Sequence, residues 1–325
     1  MLGVMTRMIA LFFDGTWQSL AQAEPTNIAR LAQAVTVNRA GGAAQLVWYD
    51  PGVGADPSRS RRSWRSGALG SGLEAGLLDA YRFLILNAAP DDQIFIFGFS
   101  RGAWAARSLA GWLGAGALPR RADAAQIGHA WRAYRHGARK PSDSARSPRS
   151  VRFLGCFDTV GRLGVPDLIP GLPVDLAFNR PRRFHDVTVG RHVKSARHAC
   201  ALDETRRAFA LRTMARNHAD HDLAQRWFIG PHGAVGGGEA AHRPLADIAL
   251  GWMALEARRA GLDVETGALD LEPDPFCALK PPRGILSWMG RHVRKQALKD
   301  WPCGFDPSVK RRMAANPDYR PAALG

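Results

Sequence analysis

A tight turn between an apolar strand and a helix constrains this chain more than any other local pattern. The apolar run Gln93–Phe97 leads directly into a G-x-S-x-G motif formed by Gly98, Ser100 and Gly102, and a helical pattern follows. The two glycines leave room for the neighbouring backbone, so the serine side chain projects from the turn. The helix N-terminus and the N–H of Arg101 then face the position where a negatively charged oxygen would form. The pattern predicts a nucleophilic serine, although a plain strand-to-helix turn remains the alternative.

Short apolar runs alternate with amphipathic helical patterns along the whole chain. The predicted strands are Met8–Phe13, Leu46–Tyr49, Gln93–Phe97, Val151–Phe157 and, with a weaker signal, Arg226–Ile229. The predicted helices are Asn27–Val37, Leu73–Asn87, Ala103–Leu113 and Leu245–Ala260. Strands that alternate with helices form βαβ units, which build a mostly parallel central sheet with helices on both faces. Together with the turn at Ser100, this order predicts an α/β protein with the α/β-hydrolase fold.

Hydrolysis by a serine needs an acid and a histidine, which in this fold follow the serine in that order. The strand Val151–Phe157 ends at Asp158, and the carboxyl end of a parallel strand is where such an acid belongs. Asp158 is therefore the predicted acid, with a helix cap or Asx-turn as its structural alternative. Asp203 and Glu204 compete for the role, but the sequence Ala199–Phe209 is interpreted as a helix.

The predicted base is His232, which follows the strand Arg226–Ile229 in a glycine-rich stretch. It is the only one of the ten histidines in such a setting. The other nine are interpreted as surface or capping groups: His129, His136, His185, His192, His198, His218, His221, His242 and His292. The glycines after His232 lack the G-K-[ST] ending of a P-loop, so the stretch does not predict a nucleotide-phosphate site.

A second oxyanion donor is expected from the loop that follows the first strand. The sequence there is Asp14-Gly15-Thr16-Trp17, and the backbone N–H of Gly15 or Thr16 is the predicted donor. The alternative is a turn that only ends the strand. A metal bound by Asp14 is not expected, because no second carboxylate lies near it in the sequence.

The cysteines and the apolar runs exclude several other classes of protein. None of Cys156, Cys200, Cys277 and Cys303 forms a C-x-x-C pair or has a histidine at zinc-ligand spacing, so neither a metal nor a cofactor is expected. No run of about 18 apolar residues is present, which predicts no membrane-spanning helix. The run Met8–Phe13 is too short for a signal peptide. We expect a chain made in the cytoplasm and, if exported, exported without a signal peptide.

The formal net charge of +15 favours anionic partners, although an arginine-rich composition alone explains part of it. Three stretches stand apart: the basic loop 58–66, a linker or lid edge at 135–149, and a basic region near the C-terminus. We expect a catalytic domain at 1–275 and a basic extension at 276–325. Residues 285–299 within the extension are interpreted either as a basic amphipathic helix lying on an anionic membrane or as a helix docked on the domain.

Several motifs occur together in a specific order. They are Phe13–Thr16, Thr26-Asn27, Tyr49–Gly54, Gly98–Ala103, Asp158–Gly161, His198-Ala199 with Leu202–Glu204, Trp227-Phe228, and His232 with Val235–Gly238. In this combination the chain resembles the α/β-hydrolase family that includes phospholipase effectors of bacterial type VI secretion. The resemblance implies a triad of Ser100, Asp158 and His232, and hydrolysis of lipid esters. It leaves a cognate immunity protein open as a partner. That family has a small polar residue and an aspartate after the histidine, where this chain has Gly233 and Ala234.

The sequence therefore predicts a serine esterase or lipase that works through an acyl-enzyme and takes a lipid or another ester as substrate. An idle hydrolase fold that binds an anionic partner, namely a membrane, nucleic acid or a protein, is the alternative from another class. Among these partners, nucleic acid is the least expected. The triad alone also leaves a peptidase or a thioesterase open.

Overall fold

A seven-stranded sheet forms the centre of the protein in the computed structural model, which describes residues 6–37, 44–55, 69–116, 118, 121, 125, 127–135, 150–161, 188–280, 291–294 and 304–324. The strands are β1 (Met8–Phe13), β2 (Gln45–Asp50), β3 (Gln93–Phe99), β4 (Val151–Phe157), β5 (Thr188–Val189), β6 (Val193–Ala201), β7 (Ala215–Arg216), β8 (Asp222–Phe228) and β9 (Gly304–Phe305). The order across the main sheet is β2-β1-β3-β4-β6-β8-β9, and every pairing is parallel. β5 and β7 form a separate pair.

Helices cover both faces of this sheet. They are α1 (Asn27–Ala34), α2 (Leu69–Asn87), α3 (Arg101–Ala115), α4 (Ile127–Arg135), α5 (His232–Gly236), α6 (Arg243–Arg259) and α7 (Pro307–Ala315). Short 3₁₀ turns occur at Arg207–Phe209, Ala240–His242, Thr266–Leu269 and Ala322–Leu324.

The side chains of the central strands alternate between two apolar cores. On β1, Ile9 and Leu11 belong to the core shared with α2 and α3, whereas Ala10 and Phe12 belong to the core shared with α1 and α6. Since both faces of a parallel sheet are buried, its strands are apolar without a polar side. This is why β1 and β3 are the clearest apolar runs in the sequence.

The order of the strands reverses between β1 and β3. The chain passes from β1 to β2 on one side and then returns across β1 to β3 on the other. In open parallel sheets, the crevice at such a reversal lies at the carboxyl ends of the strands and is the usual ligand site. The loop after β1 and the turn at Ser100 both lie at this point.

The predicted fold class is confirmed, and β1 and β4 have the predicted bounds. The helix predicted at Ala199–Phe209 is wrong: the strand β6 runs to Ala201, and only Arg207–Phe209 forms a 3₁₀ turn. The sequence of β6 contains Lys194, Arg197 and His198, so it has no apolar run that would indicate a strand. Its neighbours β4 and β8 supply the hydrogen bonds that make it one.

Part of the predicted C-terminal extension packs against the sheet. β9 pairs with β8, and Val309 of α7 is buried in a small core with Trp227. The predicted basic helix at 285–299 is described only at residues 291–294. These residues are not helical, so the prediction of a continuous helix is wrong.

The basic loop 58–66 lies outside the described residues, as does the linker 135–149 apart from Arg135, which ends α4. Within the described residues, no helix has the length and apolar character needed to cross a bilayer.

Candidate active site

Ser100 lies in a tight turn between β3 and α3. Its backbone has φ 58° and ψ −121°, a conformation that residues with a side chain rarely adopt. A Cβ at Gly98 would lie 2.6 Å from Ala103 Cα, and one at Gly102 would lie 2.3 Å from the carbonyl oxygen of Phe13. Both positions therefore exclude a side chain. The close packing of this backbone forces Ser100 into its strained conformation at the N-terminus of α3.

Asp158 follows β4 directly and is fully buried. Four donors contact its carboxylate. Oδ1 accepts from the N–H of Ala201 at 2.8 Å and from Arg294 Nη1 at 2.6 Å, and Oδ2 accepts from Arg294 Nη2 at 2.9 Å and faces His232 Nδ1 at 2.6 Å. Burial alone would raise the pKa of Asp158, but the charge of Arg294 and the hydrogen bonds from His232 and Arg294 lower that pKa well below its usual range.

His232 is the first residue of the short helix α5 and is nearly buried. Its ring lies between the rings of Phe99 and Phe209, with centroid distances of 4.6 Å to each. Phe99 immediately precedes Ser100, so this stacking holds the imidazole beside the nucleophile turn. Because Nδ1 faces the Asp158 carboxylate, the neutral tautomer with the proton on Nδ1 leaves Nε2 as a base.

The two competing acids, Asp203 and Glu204, accept hydrogen bonds from the backbone near His232. Glu204 Oε2 accepts the backbone N–H of His232 at 3.1 Å, and its carboxylate is paired with Arg206. Asp203 Oδ2 accepts from the N–H of Gly230 at 2.6 Å and from the hydroxyl of Tyr319 at 2.8 Å. These carboxylates therefore hold the backbone around the histidine in place.

A buried histidine supports the turn at Asp158. His198 is fully buried on β6, which corrects its interpretation as a surface or capping residue; His221 and His242 are buried as well. His198 Nε2 accepts the N–H of Thr159 at 3.1 Å, and Nδ1 lies 3.1 Å from Gln225 Oε1. Burial, together with the charge of Arg107, lowers the pKa of His198 to about 4, so this ring is neutral at neutral pH.

The loop after β1 approaches the nucleophile turn, but one of its expected oxyanion donors is occupied. The N–H of Gly15 donates to Asp14 Oδ1 at 2.7 Å, which corrects the expectation that Gly15 offers this group to a substrate. Thr16 remains the candidate donor on this loop. Its side-chain Oγ1 is buried without a hydrogen-bond partner among the described residues.

Asp14 holds this loop in place, a role that sequence reasoning missed. Its carboxylate also accepts from the hydroxyls of Thr26 and Tyr49, at 2.8 Å and 2.6 Å. Burial raises the pKa of Asp14 to about 6, although these hydrogen bonds oppose the increase. The D-G-T sequence at the end of a strand was the available signal, but it gave no indication of these partners.

The side chain of Arg101, next to Ser100, is a partly buried cation. Burial lowers the pKa of its guanidinium to about 10. Within the part of the chain that the structure describes, the guanidinium has no hydrogen-bond or ion-pair partner. Among these residues, a positive charge without a counter-charge therefore lies beside Ser100.

No group of three or more potential metal ligands occurs among the described residues. Cys156 and Cys200 are buried free thiols, and Cys277 is a partly buried one. The described part of the site thus consists of the serine, histidine and carboxylate with their supporting groups.

Comparison with known proteins places residues 7–256 in one family. They match the model described as type VI secretion system (T6SS), phospholipase effector Tle1-like, catalytic domain. This agrees with the resemblance indicated by the sequence motifs.

Individual relatives are more distant. An uncharacterized protein of Saccharomyces cerevisiae is 26% identical over 230 residues, which cover 62% of this chain and 32% of the yeast protein. A crystal structure of an uncharacterized protein from Pseudomonas aeruginosa is 20% identical, with a TM-score of 0.48, over 98% of this chain and 55% of that one. The Tle1 effector bound to the VgrG spike of the type 6 secretion system is 21% identical, with a TM-score of 0.38, over 74% and 52% of the two chains. This chain thus spans about a third to a half of the length of these relatives.

Proposed function

Since the chain belongs to the family of T6SS phospholipase effector Tle1-like catalytic domains, we propose that it is a serine hydrolase that cleaves carboxylic esters of lipids. Ser100 is the nucleophile, His232 the general base and Asp158 the orienting acid. The observation that carries the proposal is the 2.6 Å contact between His232 Nδ1 and Asp158 Oδ2 directly beside the nucleophile turn.

The reaction proceeds in two halves. His232 Nε2 removes the hydroxyl proton of Ser100 while Oγ bonds to the ester carbonyl carbon, and the same proton then passes to the departing alcohol as the C–O bond breaks. Water attacks the resulting acyl-serine by the same route and releases the carboxylic acid. During both steps the buried Asp158 carboxylate stabilises the positive form of His232.

Negative charge develops on the carbonyl oxygen in each half of the reaction. The N–H of Arg101 lies at the N-terminus of α3, where the helix dipole favours an anion. The N–H of Thr16 is the second proposed donor, from the loop after β1. Each such donor contributes about 10²–10³-fold to kcat in serine hydrolases.

The charge next to the nucleophile favours a phospholipid over a neutral ester. A partly buried guanidinium without a partner gains most from a ligand that brings a negative charge with it. The head-group phosphate of a phospholipid lies only a few bonds from its acyl esters. We therefore assign the side chain of Arg101 to contact with this phosphate.

The proposal is tested with a fluorophosphonate probe and with hydrolysis of p-nitrophenyl butyrate and phospholipid vesicles. Wild type should label at Ser100, and Ser100→Ala and His232→Ala should each lose about 10⁴-fold or more in kcat without unfolding. Ser108→Ala, in the middle of α3, is the matched control and should behave as wild type. Near wild-type hydrolysis by Ser100→Ala would refute the assignment of the nucleophile. A folded wild type that neither labels nor hydrolyses would favour the idle, anion-binding fold.

A further inference from the structure

Arg294 belongs to the predicted C-terminal extension, yet its side chain is buried in the candidate active site. The side chain is fully inaccessible to solvent. Its two terminal nitrogens each contact one oxygen of Asp158, in the bidentate arrangement that suits a guanidinium and a carboxylate. The same nitrogens donate to the carbonyl oxygens of Ala201 and Phe209, both at 2.7 Å. The backbone therefore holds the guanidinium while the guanidinium holds the carboxylate.

These contacts determine the orientation of the carboxylate. A carboxylate offers about four lone-pair directions, and here the N–H of Ala201, the two nitrogens of Arg294 and the ring of His232 use all four. If Arg294 were absent, only the N–H of Ala201 on Oδ1 and the ring of His232 on Oδ2 would remain, so a single donor would hold each oxygen of the carboxylate.

Arg294 also provides the charge that a buried carboxylate requires. A carboxylate without a cation in a fully buried site tends to take up a proton. A protonated Asp158 could no longer stabilise the positive form of His232 during the reaction. His232 itself cannot replace Arg294, because it must be neutral before it accepts the proton of the nucleophile.

We propose that Arg294 is a positioning residue of the hydrolase: it keeps Asp158 ionised and directed at Nδ1 of His232. The proposal rests on the proposed function, because it assigns Arg294 to the same triad. It also makes the segment around residue 294 part of the catalytic unit, although its sequence distance from Asp158 is 136 residues.

Other ionisable groups surround the pair and remain in place when Arg294 is changed. They are Glu204 with its partner Arg206, Glu239 near His232, His198 with Arg107 behind β4, and Cys200 near Arg294. The net effect of removing Arg294 is therefore the loss of one positive charge close to the Asp158–His232 pair. Such a loss favours the protonated forms of both groups.

The test compares Arg294→Gln and Arg294→Lys with Arg7→Gln. Arg7 is a matched control because it also holds an aspartate through two nitrogens, which donate to the two oxygens of Asp92. It directly precedes β1, so it lies at the amino end of the sheet, opposite the candidate site. Activity is measured as kcat and KM for p-nitrophenyl butyrate from pH 5 to pH 10, and folding is measured by thermal denaturation.

Arg294→Gln should lower kcat about 10²-fold with little change in KM, less than the roughly 10⁴-fold loss caused by a wrong histidine tautomer. The acidic limb of its kcat/KM profile should move to higher pH by about 1–2 units. Arg294→Lys keeps the positive charge but not the bidentate geometry. Its pH profile should therefore stay near that of wild type, and its kcat should fall less than that of Arg294→Gln. Arg7→Gln should keep the wild-type profile and kcat.

A folded Arg294→Gln with the wild-type profile and a kcat within threefold of wild type would overturn the proposal. If glutamine prevents folding, Arg294→Lys decides: a lower kcat with an unmoved acidic limb supports the proposal, and a wild-type kcat overturns it. Failure of the proposed function itself is distinguishable, because wild type would then not label at Ser100.

Discussion

The backbone strain at Ser100 predicts a difference in stability between two variants that should be equally inactive under the proposed function. Ser100→Ala and Ser100→Gly both lack the nucleophilic oxygen. Alanine keeps the strained conformation at φ 58° and ψ −121°, whereas glycine adopts it without a clash between Cβ and the backbone. The glycine variant should therefore be the more stable of the two, although glycine normally destabilises a protein relative to alanine.

The size of the difference follows from two opposing terms. A residue held in a sparsely populated region costs about 1–3 kcal/mol, and the additional freedom of glycine in the unfolded chain costs about 0.5–1 kcal/mol. The two ranges combine to a net gain in the free energy of unfolding of about 0–2.5 kcal/mol, with about 1 kcal/mol at their centres. For a chain of 325 residues, this corresponds to a Tm higher by about 2 °C at the centre of the range and by about 4 °C at its upper end.

Differential scanning calorimetry of both variants measures this difference, with the same pair of substitutions at Ser108 as a control. Ser108 lies in the middle of α3, where the backbone is helical and glycine costs about 1 kcal/mol relative to alanine. The sign of the difference should thus reverse between the two positions. If glycine lowers the Tm relative to alanine at position 100 as it does at position 108, the turn stores no strain and the reasoning is wrong.

Two further predictions concern the charges near the nucleophile. Burial raises the pKa of Asp14 to about 6 from an ordinary 3.8, so its contribution to stability is present below pH 3.8 and is lost as the pH rises through 6. Relative to wild type, Asp14→Asn should gain about 2 kcal/mol in the free energy of unfolding between pH 4 and pH 7, measured by urea denaturation; a difference that does not depend on pH would contradict the assigned pKa. Arg101→Gln keeps the backbone N–H, so it should reduce kcat/KM for an anionic phospholipid by about 10–100-fold, the size of one charged hydrogen bond, and change hydrolysis of p-nitrophenyl butyrate by less than threefold. Equal losses on both substrates would show that the guanidinium does not contact the phosphate.

Local patterns were sufficient to predict the centre of the fold and the placement of the candidate residues. β1 is a continuous apolar run and β4 is interrupted only by the exposed Arg152, because both faces of the sheet are covered, so their bounds follow from the apolar pattern. The turn at Ser100 combines glycine spacing with a strand before it and a helix after it, which is a signal contained in ten residues or so. Asp158 follows β4 directly and His232 follows β8 after three residues, and the carboxyl ends of parallel strands meet at one edge of the sheet.

The remaining features depend on contacts that no local pattern encodes. β6 is a strand because two neighbours pair with it, while its own sequence is polar and alanine-rich. The N–H of Gly15 is engaged by the side chain of the residue before it, which depends on one rotamer of Asp14. Arg294 is one of many basic residues near the C-terminus, and the residues around it in the sequence do not distinguish it from the basic residues at the surface.

The long separation between Asp158 and Arg294 also has a consequence for the order in which the protein is synthesised. After Asp158 has been added to the growing polypeptide, another 136 residues must be translated before Arg294 is added. At about 5–20 residues per second, this interval lasts roughly 7–27 s. During that time the nascent chain already contains the nucleophile but has no guanidinium to fix its acid. On the ribosome, therefore, the proposed triad should acquire its supporting cation only late, after the strands β1 to β8 have been synthesised.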